Sequence, residues 1–343
     1  MAFVIIIDIM STMFRLATIS DQSPDGRLAL VSRCGNRAAF SEQFLTLQSA
    51  LDRWEKALIE FAHIAEAMER DNGAIEVRQL EDAMLLAPLP RAWQWLDGSA
   101  YTTHAALMDR AYGIATVDLG RPLMYQGMSH HFCSPTEDIV FVDEEHGIDF
   151  EGEVGVIVDY VPMGTSAADA LGHIRLIVQI NDWSLRKLGA EEMKTGFGWV
   201  QAKPACSVAP FAISPEYLGE AWANGRVQAT LEVDRDGAEF GRAACAPMAY
   251  GFHELIAHAA RTRDLCAGTI IGSGTVSNSD YANVGSSCIA ERRAIEMIEH
   301  GRPSTEFLHD GEIVAMTLVC PDGSRPCGSL RQRVSVWPRT VGS

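Results

Sequence analysis

From Leu96 onward the chain is dominated by short runs rich in β-branched residues and separated by turn residues: DIVFVD, EVGVIVDY, IRLIVQIND, VQATLEVDRDG, EIVAMTLVC and RVSVWP. Such runs predict strands. The helical stretches between them, such as SAADALGHI and HELIAHAARTRDL, are few and irregularly placed. A doubly wound parallel sheet needs strands and helices in regular alternation, so that class is excluded. Ahead of these runs, FRLATIS predicts a first strand, and SPDGRLALVS, with Asp25-Gly26 at its turn, predicts a hairpin. Leu47, Leu51, Trp54, Leu58, Phe61, Ile64 and Met68 then recur at the three- and four-residue spacing of one amphipathic helix, ended by Asn72-Gly73. The fold class is α+β: a small N-terminal α/β domain over residues 1–90, followed by a large mixed β-sandwich or roll domain over residues 91–343. The boundary is expected in LLAPLPRAWQW, where Pro88 and Pro90 suggest a linker.

A formal net charge of −17 excludes nucleic acid and an anionic membrane as partners, because no basic stripe offsets the repulsion. A small anionic partner stays open where a few cations are concentrated. The eight cysteines include no CxxC pair, which reads as scattered reduced thiols in a cytoplasmic protein. The N-terminal MAFVIIIDIM is apolar but is interrupted by Asp8, lacks a basic flank and is too short to span a bilayer. Residues 1–12 are therefore expected to be a dispensable leader, with the fold beginning near Met13.

The run GIDFEGEVGVIVDY contains a contradiction. It reads as a strand, yet Glu151 and Glu153 sit at i and i+2, so the pleat turns both carboxylates to one face. A buried carboxylate pair must be protonated, paired with basic side chains or bound to a cation. The next run, IRLIVQIND, ends in Asp182, and strands adjacent in sequence often pair. Three oxygen donors without a neighbouring Cys or His ligand suit Mg2+ or Ca2+ better than zinc. Spacing alone does not separate this from a solvated face, where charges usually sit. Arg186 and Lys203 follow closely enough to supply cations to the same cavity. In IIGSGTVSNSD, a Gly-Ser-Gly-Thr turn offers backbone N–H groups to an oxyanion, with the Thr275 hydroxyl beside them.

DGSAYTTH, DFEGEVGVIV, INDWSLR, QAKPACS, GSGTVSN and GSSCIAERR, in that order, resemble the fumarylacetoacetate hydrolase family, from about Met13 to the C-terminus. The resemblance implies metal ligation by Asp97, Glu151, Glu153 and Asp182, with Lys203 and Ser207 supporting the ligands from behind. It implies a catalytic His104, seven residues after Asp97, with Glu291 as its partner. Arg186 and Lys203 would act in catalysis and touch substrate, as would Thr275. The implied cofactor is a divalent cation, Mg2+ or Ca2+, with Mn2+ as a further candidate. The implied partner is a small anionic dicarbonyl acid, and the implied assembly a homodimer.

On this resemblance the expected reaction is hydrolysis of a carbon–carbon bond in fumarylacetoacetate or another acylpyruvate, as in aromatic amino acid catabolism. His104 would deprotonate water, and Arg186 and Lys203 would stabilise the developing charge. Two departures keep a decarboxylase, isomerase or hydratase of a 2-oxo acid as the alternative. Gly189 stands where the family's hydrolases often carry glutamine, and Ser99 where they carry a substrate-contacting tyrosine, with Tyr101 nearby. A third alternative, from another class, is a metal-stabilised binding protein without turnover.

Overall fold

In a computed structural model, which describes residues 13–70, 73, 75–81, 84–113 and 119–337, the strand Gly152–Val158 is buried along its whole length. Continuous burial means that both faces of its sheet are covered. Val154, Val156 and Val158 enter one apolar cluster and Ile157 another, as the two-residue period of a strand demands. The expected leader, residues 1–12, lies outside the described residues.

Among the described residues this sheet has eleven strands. Its order runs Arg78–Gln79, Arg37–Phe40, Arg27–Val31, Arg15–Ile19, Ala212–Ile213, Ile174–Asn181, Gly152–Val158, Ile270–Gly272, Trp95–Ser99 and Leu123–Gly127, with Ser207–Val208 also paired to Ile174–Asn181. The pairs are antiparallel except Ile270–Gly272 with Trp95–Ser99. A second sheet runs Ala238–Ala244, Thr230–Arg235, Ile313–Val319, Ser329–Val336 and Ile139–Phe141. Its Leu231, Val233, Met316 and Leu318 join the cluster of Val154 and Val156, so the two sheets share one core. The mixed β architecture read from the sequence is what forms.

The N-terminal segment covers the other face. Arg15–Ile19 and Arg27–Val31 form the expected hairpin, closed at Gly26 with φ +56°, where a Cβ would lie 2.7 Å from the Ile19 carbonyl oxygen. Arg15 also pairs with Ile213, which makes the N-terminal strands a continuation of the large sheet. The segment expected as a linker is packed: Ala87 and Leu89 are buried, and the Thr18 hydroxyl donates to the Pro88 carbonyl at 2.6 Å.

The single expected helix forms as two, Leu47–Leu51 and Trp54–Arg70. The Asp52 N–H still reaches the Gln48 carbonyl, but the Arg53 N–H reaches back only to Ala50, a tighter bond that interrupts the ladder. The apolar stripe survives the break. Leu47, Leu51, Trp54, Phe61, Ile64 and Met68 are all buried, and Phe14, Trp54 and Phe61 pack with ring centroids 5.4–6.1 Å apart.

Phe61→Ala should therefore destabilise the protein by about 3–5 kcal/mol. Ile59→Ala, at a side chain 44% exposed on the same helix, should change stability by no more than about 0.5 kcal/mol. Urea unfolding of the two variants checks the contrast.

Candidate metal and active site

Neighbouring strands deliver the acids to one place. Glu151 immediately precedes Gly152–Val158, and Glu153 lies opposite Ile180 of Ile174–Asn181. The chain leaves that neighbour at Asp182, whose N–H donates to the Glu151 carbonyl at 2.9 Å. Asp97 comes from Trp95–Ser99, which lies beyond the short strand Ile270–Gly272. The residue between them is Gly272, and a Cβ there would sit 2.8 Å from both Asp97 Oδ1 and Glu153 Oε2. A bare glycine thus lets carboxylates from strands on either side meet above it. One oxygen from each of Asp97, Glu151, Glu153 and Asp182 lies within 4.8 Å of the others.

All four are buried, but they are not equally supported. Glu151 accepts from Arg186 Nη1 at 2.7 Å, Lys203 Nζ at 3.0 Å, Ser184 Oγ at 3.0 Å and Thr275 Oγ1 at 2.9 Å. Burial alone would raise its pKa, but Lys203 and Arg186 outweigh burial and hold Glu151 well below the usual carboxylate range. Asp182 accepts from Lys203 Nζ at 2.6 Å, Tyr125 Oη at 2.6 Å and Cys206 Sγ at 2.9 Å. Asp97 accepts the Gly274 N–H at 3.0 Å. Neither oxygen of Glu153 has a donor among the described residues, although the side chain is fully buried. Burial first, and then the neighbouring carboxylates, push Glu153 and Asp97 well above their usual range. An orphaned carboxylate facing three others fits a bound cation, and the all-oxygen donor set fits a hard divalent ion.

The histidine stands on the helix Thr102–Tyr112, which packs against the helix Ile289–His300. His104 Nδ1 lies 2.9 Å from Glu291 Oε2, and Glu291 is fully buried in the first turn of the second helix. The backbone of Glu151 bridges to Cys288, the residue that caps the helix carrying Glu291, which sets the His104–Glu291 pair next to the nest. Asp149, which the sequence reading missed, connects the two halves of the site. Its Oδ1 accepts from Ile289 N at 2.7 Å and its Oδ2 from Ala290 N at 2.9 Å, while Arg186 Nε donates to Oδ2 at 2.7 Å. One buried carboxylate thus caps the helix that carries Glu291 and orients the guanidinium that holds Glu151. Tyr125 was missed as well. It faces Asp97 across the pair Trp95–Ser99 and Leu123–Gly127, and its hydroxyl reaches Asp182.

Other expected residues are placed differently. Ser207 does not turn to the acids: its hydroxyl accepts the Trp183 indole N–H at 2.8 Å, and Cys206, one residue earlier and on the opposite side of the chain, reaches Asp182 instead. Thr275 donates to Glu151 and the Gly274 N–H to Asp97, so these two groups of the Gly-Ser-Gly-Thr turn engage the carboxylates. Arg186 and Lys203 are likewise engaged with acids, although Arg186 Nη2 is buried with no hydrogen-bond partner among the described residues. Tyr101 does not replace the tyrosine absent at Ser99, because its hydroxyl donates into the core to the Cys245 carbonyl at 2.6 Å. A Cβ at Gly189 would stand 3.5 Å from the Trp199 ring, and that ring packs edge-on against Tyr125 with centroids 6.4 Å apart.

A family model described as fumarylacetoacetate (FAA) hydrolase C-terminal matches residues 94–335, and one described as fumarylacetoacetase N-terminal domain 2 matches residues 14–91. Among curated proteins the sequence search gives no significant match. Among solved structures, maleylpyruvate hydrolase from Sphingobium sp. SYK-6 is similar at TM-score 0.62 and 14% identity, over 94% of this chain and 100% of that one. The 2-hydroxyhepta-2,4-diene-1,7-dioate isomerase from Mycobacterium marinum is similar at TM-score 0.59 and 18% identity, over 95% and 100%. The 5-carboxymethyl-2-hydroxymuconate delta-isomerase from Mycobacterium smegmatis gives TM-score 0.55 and 15% identity, over 95% and 99%. At these identities the likeness is one of fold. Among the described residues no helix is long and apolar enough to cross a membrane.

The raised pKa values of Asp97 and Glu153 fix a sign. Without a cation the folded protein holds protons that the unfolded chain releases above about pH 4. Their stabilising contribution is complete below that pH and is lost as pH rises through the raised values. Glu151, held low, contributes in the opposite sense, but only below the usual carboxylate range. In chelator the unfolding midpoint should therefore fall as pH rises above about pH 5, and saturating Mg2+ or Ca2+ should remove that fall. Thermal unfolding across this pH range, with and without chelator, measures it.

Proposed function

We propose, since this chain belongs to the fumarylacetoacetate hydrolase family, that it hydrolyses a carbon–carbon bond in a 1,3-dicarbonyl acid such as fumarylacetoacetate or another acylpyruvate. The observation that carries this reading is the His104–Glu291 pair beside a carboxylate nest with a cation's worth of missing charge. A protein that only binds its ligand needs no oriented base.

Asp97, Glu151, Glu153 and Asp182 would hold a divalent ion, which would supply Lewis acidity to the bound substrate. Glu291 Oε2 accepts from His104 Nδ1–H, which fixes the tautomer that leaves Nε2 as the base. His104 Nε2 takes a proton from water as the water oxygen bonds to the substrate carbonyl carbon. The carbon–carbon bond then breaks, its electron pair stays on the α-carbon of the departing enolate, and the proton held by His104 passes to that α-carbon. Lys203 Nζ has three N–H bonds and gives two to Glu151 and Asp182, which leaves one for a substrate oxygen. Arg186 Nη2, which has no partner among the described residues, is the second such donor, and Asp149 holds the guanidinium that carries it. Thr275 acts by orienting Glu151. The same proposal takes a small anionic dicarbonyl acid as substrate, Mg2+ or Ca2+ (with Mn2+ admitted) as the ion, and a homodimer as the assembly, which light scattering tests.

A second reading is an isomerase, decarboxylase or hydratase of a 2-oxo acid on the same ligands. It is favoured by the glycine at 189, with Trp199 against it, and by Tyr101 turned into the core.

Incubation with acylpyruvates, fumarylacetoacetate and oxaloacetate, with and without chelator, separates the two by product. Release of two carboxylic acids supports hydrolysis, whereas CO2 or an isomer supports the second reading. His104→Ala should lower kcat by roughly 10²–10⁴-fold and leave calorimetric metal affinity nearly unchanged. Undiminished turnover would remove His104 from the chemistry.

A further inference from the structure

Residues 131–137 carry a second set of donors, chemically unlike the carboxylate nest. His131 Nε2 lies 3.8 Å from Cys133 Sγ and 3.9 Å from Glu137 Oε1, and the three ligand atoms fall within 4.8 Å of one another. A nitrogen–oxygen separation of 3.9 Å is too long for a hydrogen bond. It is close to what an ion between the donors requires. With bonds of about 2.0–2.2 Å to nitrogen and oxygen and about 2.3 Å to sulfur, a tetrahedral site has ligand-to-ligand edges of roughly 3.4–3.6 Å. The two edges from His131 exceed that by a few tenths of an ångström, and the third, between Cys133 and Glu137, is no longer than 4.8 Å.

The backbone beneath these donors is fixed. Cys133 N–H donates to the Cys206 carbonyl at 2.8 Å, and the Cys133 carbonyl accepts from Val208 N at 3.3 Å. The Ser134 carbonyl accepts from Gln332 Nε2 at 2.7 Å and the Pro135 carbonyl from Arg331 N at 2.9 Å. Both neighbouring sheets therefore anchor the turn. Cys133 is buried, whereas the side chains of His131 and Glu137 are 54% and 40% exposed, which gives an ion a path from solvent.

We propose that His131, Cys133 and Glu137 form a binding site for a thiophilic divalent ion of the zinc type, with its fourth position open to water. The ligand set decides the class of ion. A sulfur, an imidazole nitrogen and one carboxylate favour Zn2+, Co2+ or Cd2+, whereas the all-oxygen nest of Asp97, Glu151, Glu153 and Asp182 favours Mg2+ or Ca2+. The two sites therefore sort different metals within one chain. Because Cys133 is bridged to Ser207 beside the strand Ile174–Asn181, a bound ion braces the turn against the large sheet.

The test is a Co2+ titration of the full-length protein, with excess Mg2+ present to occupy the carboxylate nest. One equivalent should bring up a thiolate-to-cobalt charge-transfer absorption that Zn2+ bleaches by displacement. Cys133→Ser should abolish the band, and His131→Ala or Glu137→Gln should weaken Co2+ binding at least about tenfold. His131 and Glu137 are surface side chains, so their variants keep the test decisive if Cys133→Ser does not fold. Zn2+ should also raise the unfolding midpoint of the wild-type protein and leave that of His131→Ala unmoved. The proposal is overturned if the wild-type protein gives no band, if the band survives Cys133→Ser, if binding is unaffected in His131→Ala and Glu137→Gln, or if Cys206→Ser removes the band while His131→Ala keeps it.

Discussion

Four carboxylates packed against one another below the surface are the constraint from which the rest of the site follows. Two unit charges 4 Å apart repel by about 4 kcal/mol at the effective dielectric of a protein site. Lys203 and Arg186 answer Glu151 and Asp182, and Arg186 is shared with Asp149. With Asp149 counted, five carboxylates face two cations, and one divalent ion offsets most of the negative charge that is left. The deficit is localised. Glu151 is surrounded by donors and held ionised, whereas Glu153 has none among the described residues and is pushed toward its neutral form.

The fold creates this proximity by ordinary means. A strand buried on both faces has no water to offer its carboxylates, and Gly272 provides the gap through which residues of two separate strands meet. Asp149 then ties the nest to the acid–base pair, because the same carboxyl group caps the Glu291 helix and anchors Arg186. Site geometry and helix placement are consequently one structural problem, solved by one buried side chain.

Much of this was legible in the sequence where the relevant contact is local or is dictated by strand period. Glu151 and Glu153 share a face by alternation, and Asp182 falls where its strand ends. The same alternation extends back to Asp149, two residues before Glu151, and was the signal that could have found it. Tyr125 gave no such signal, because its role depends on the register that sets it opposite Asp97. Ser207 and Cys206 illustrate how a one-residue step exchanges faces, so that a thiol occupies the position expected for a hydroxyl. The pairing of Arg15 with Ile213, nearly two hundred residues apart, is a long-range contact that composition and prolines around residues 88–90 could not reveal. His104 and Glu291 came together as the family resemblance implied, although no local pattern connects two residues on separate helices.

Diffraction from crystals grown with Mn2+, recorded to give anomalous signal, tests the central claim most directly. The account predicts one strong peak within about 2.0–2.6 Å of oxygens from Asp97, Glu151, Glu153 and Asp182 together. A nest that holds no peak, with Glu153 instead hydrogen-bonded through a proton to Asp97, would contradict it.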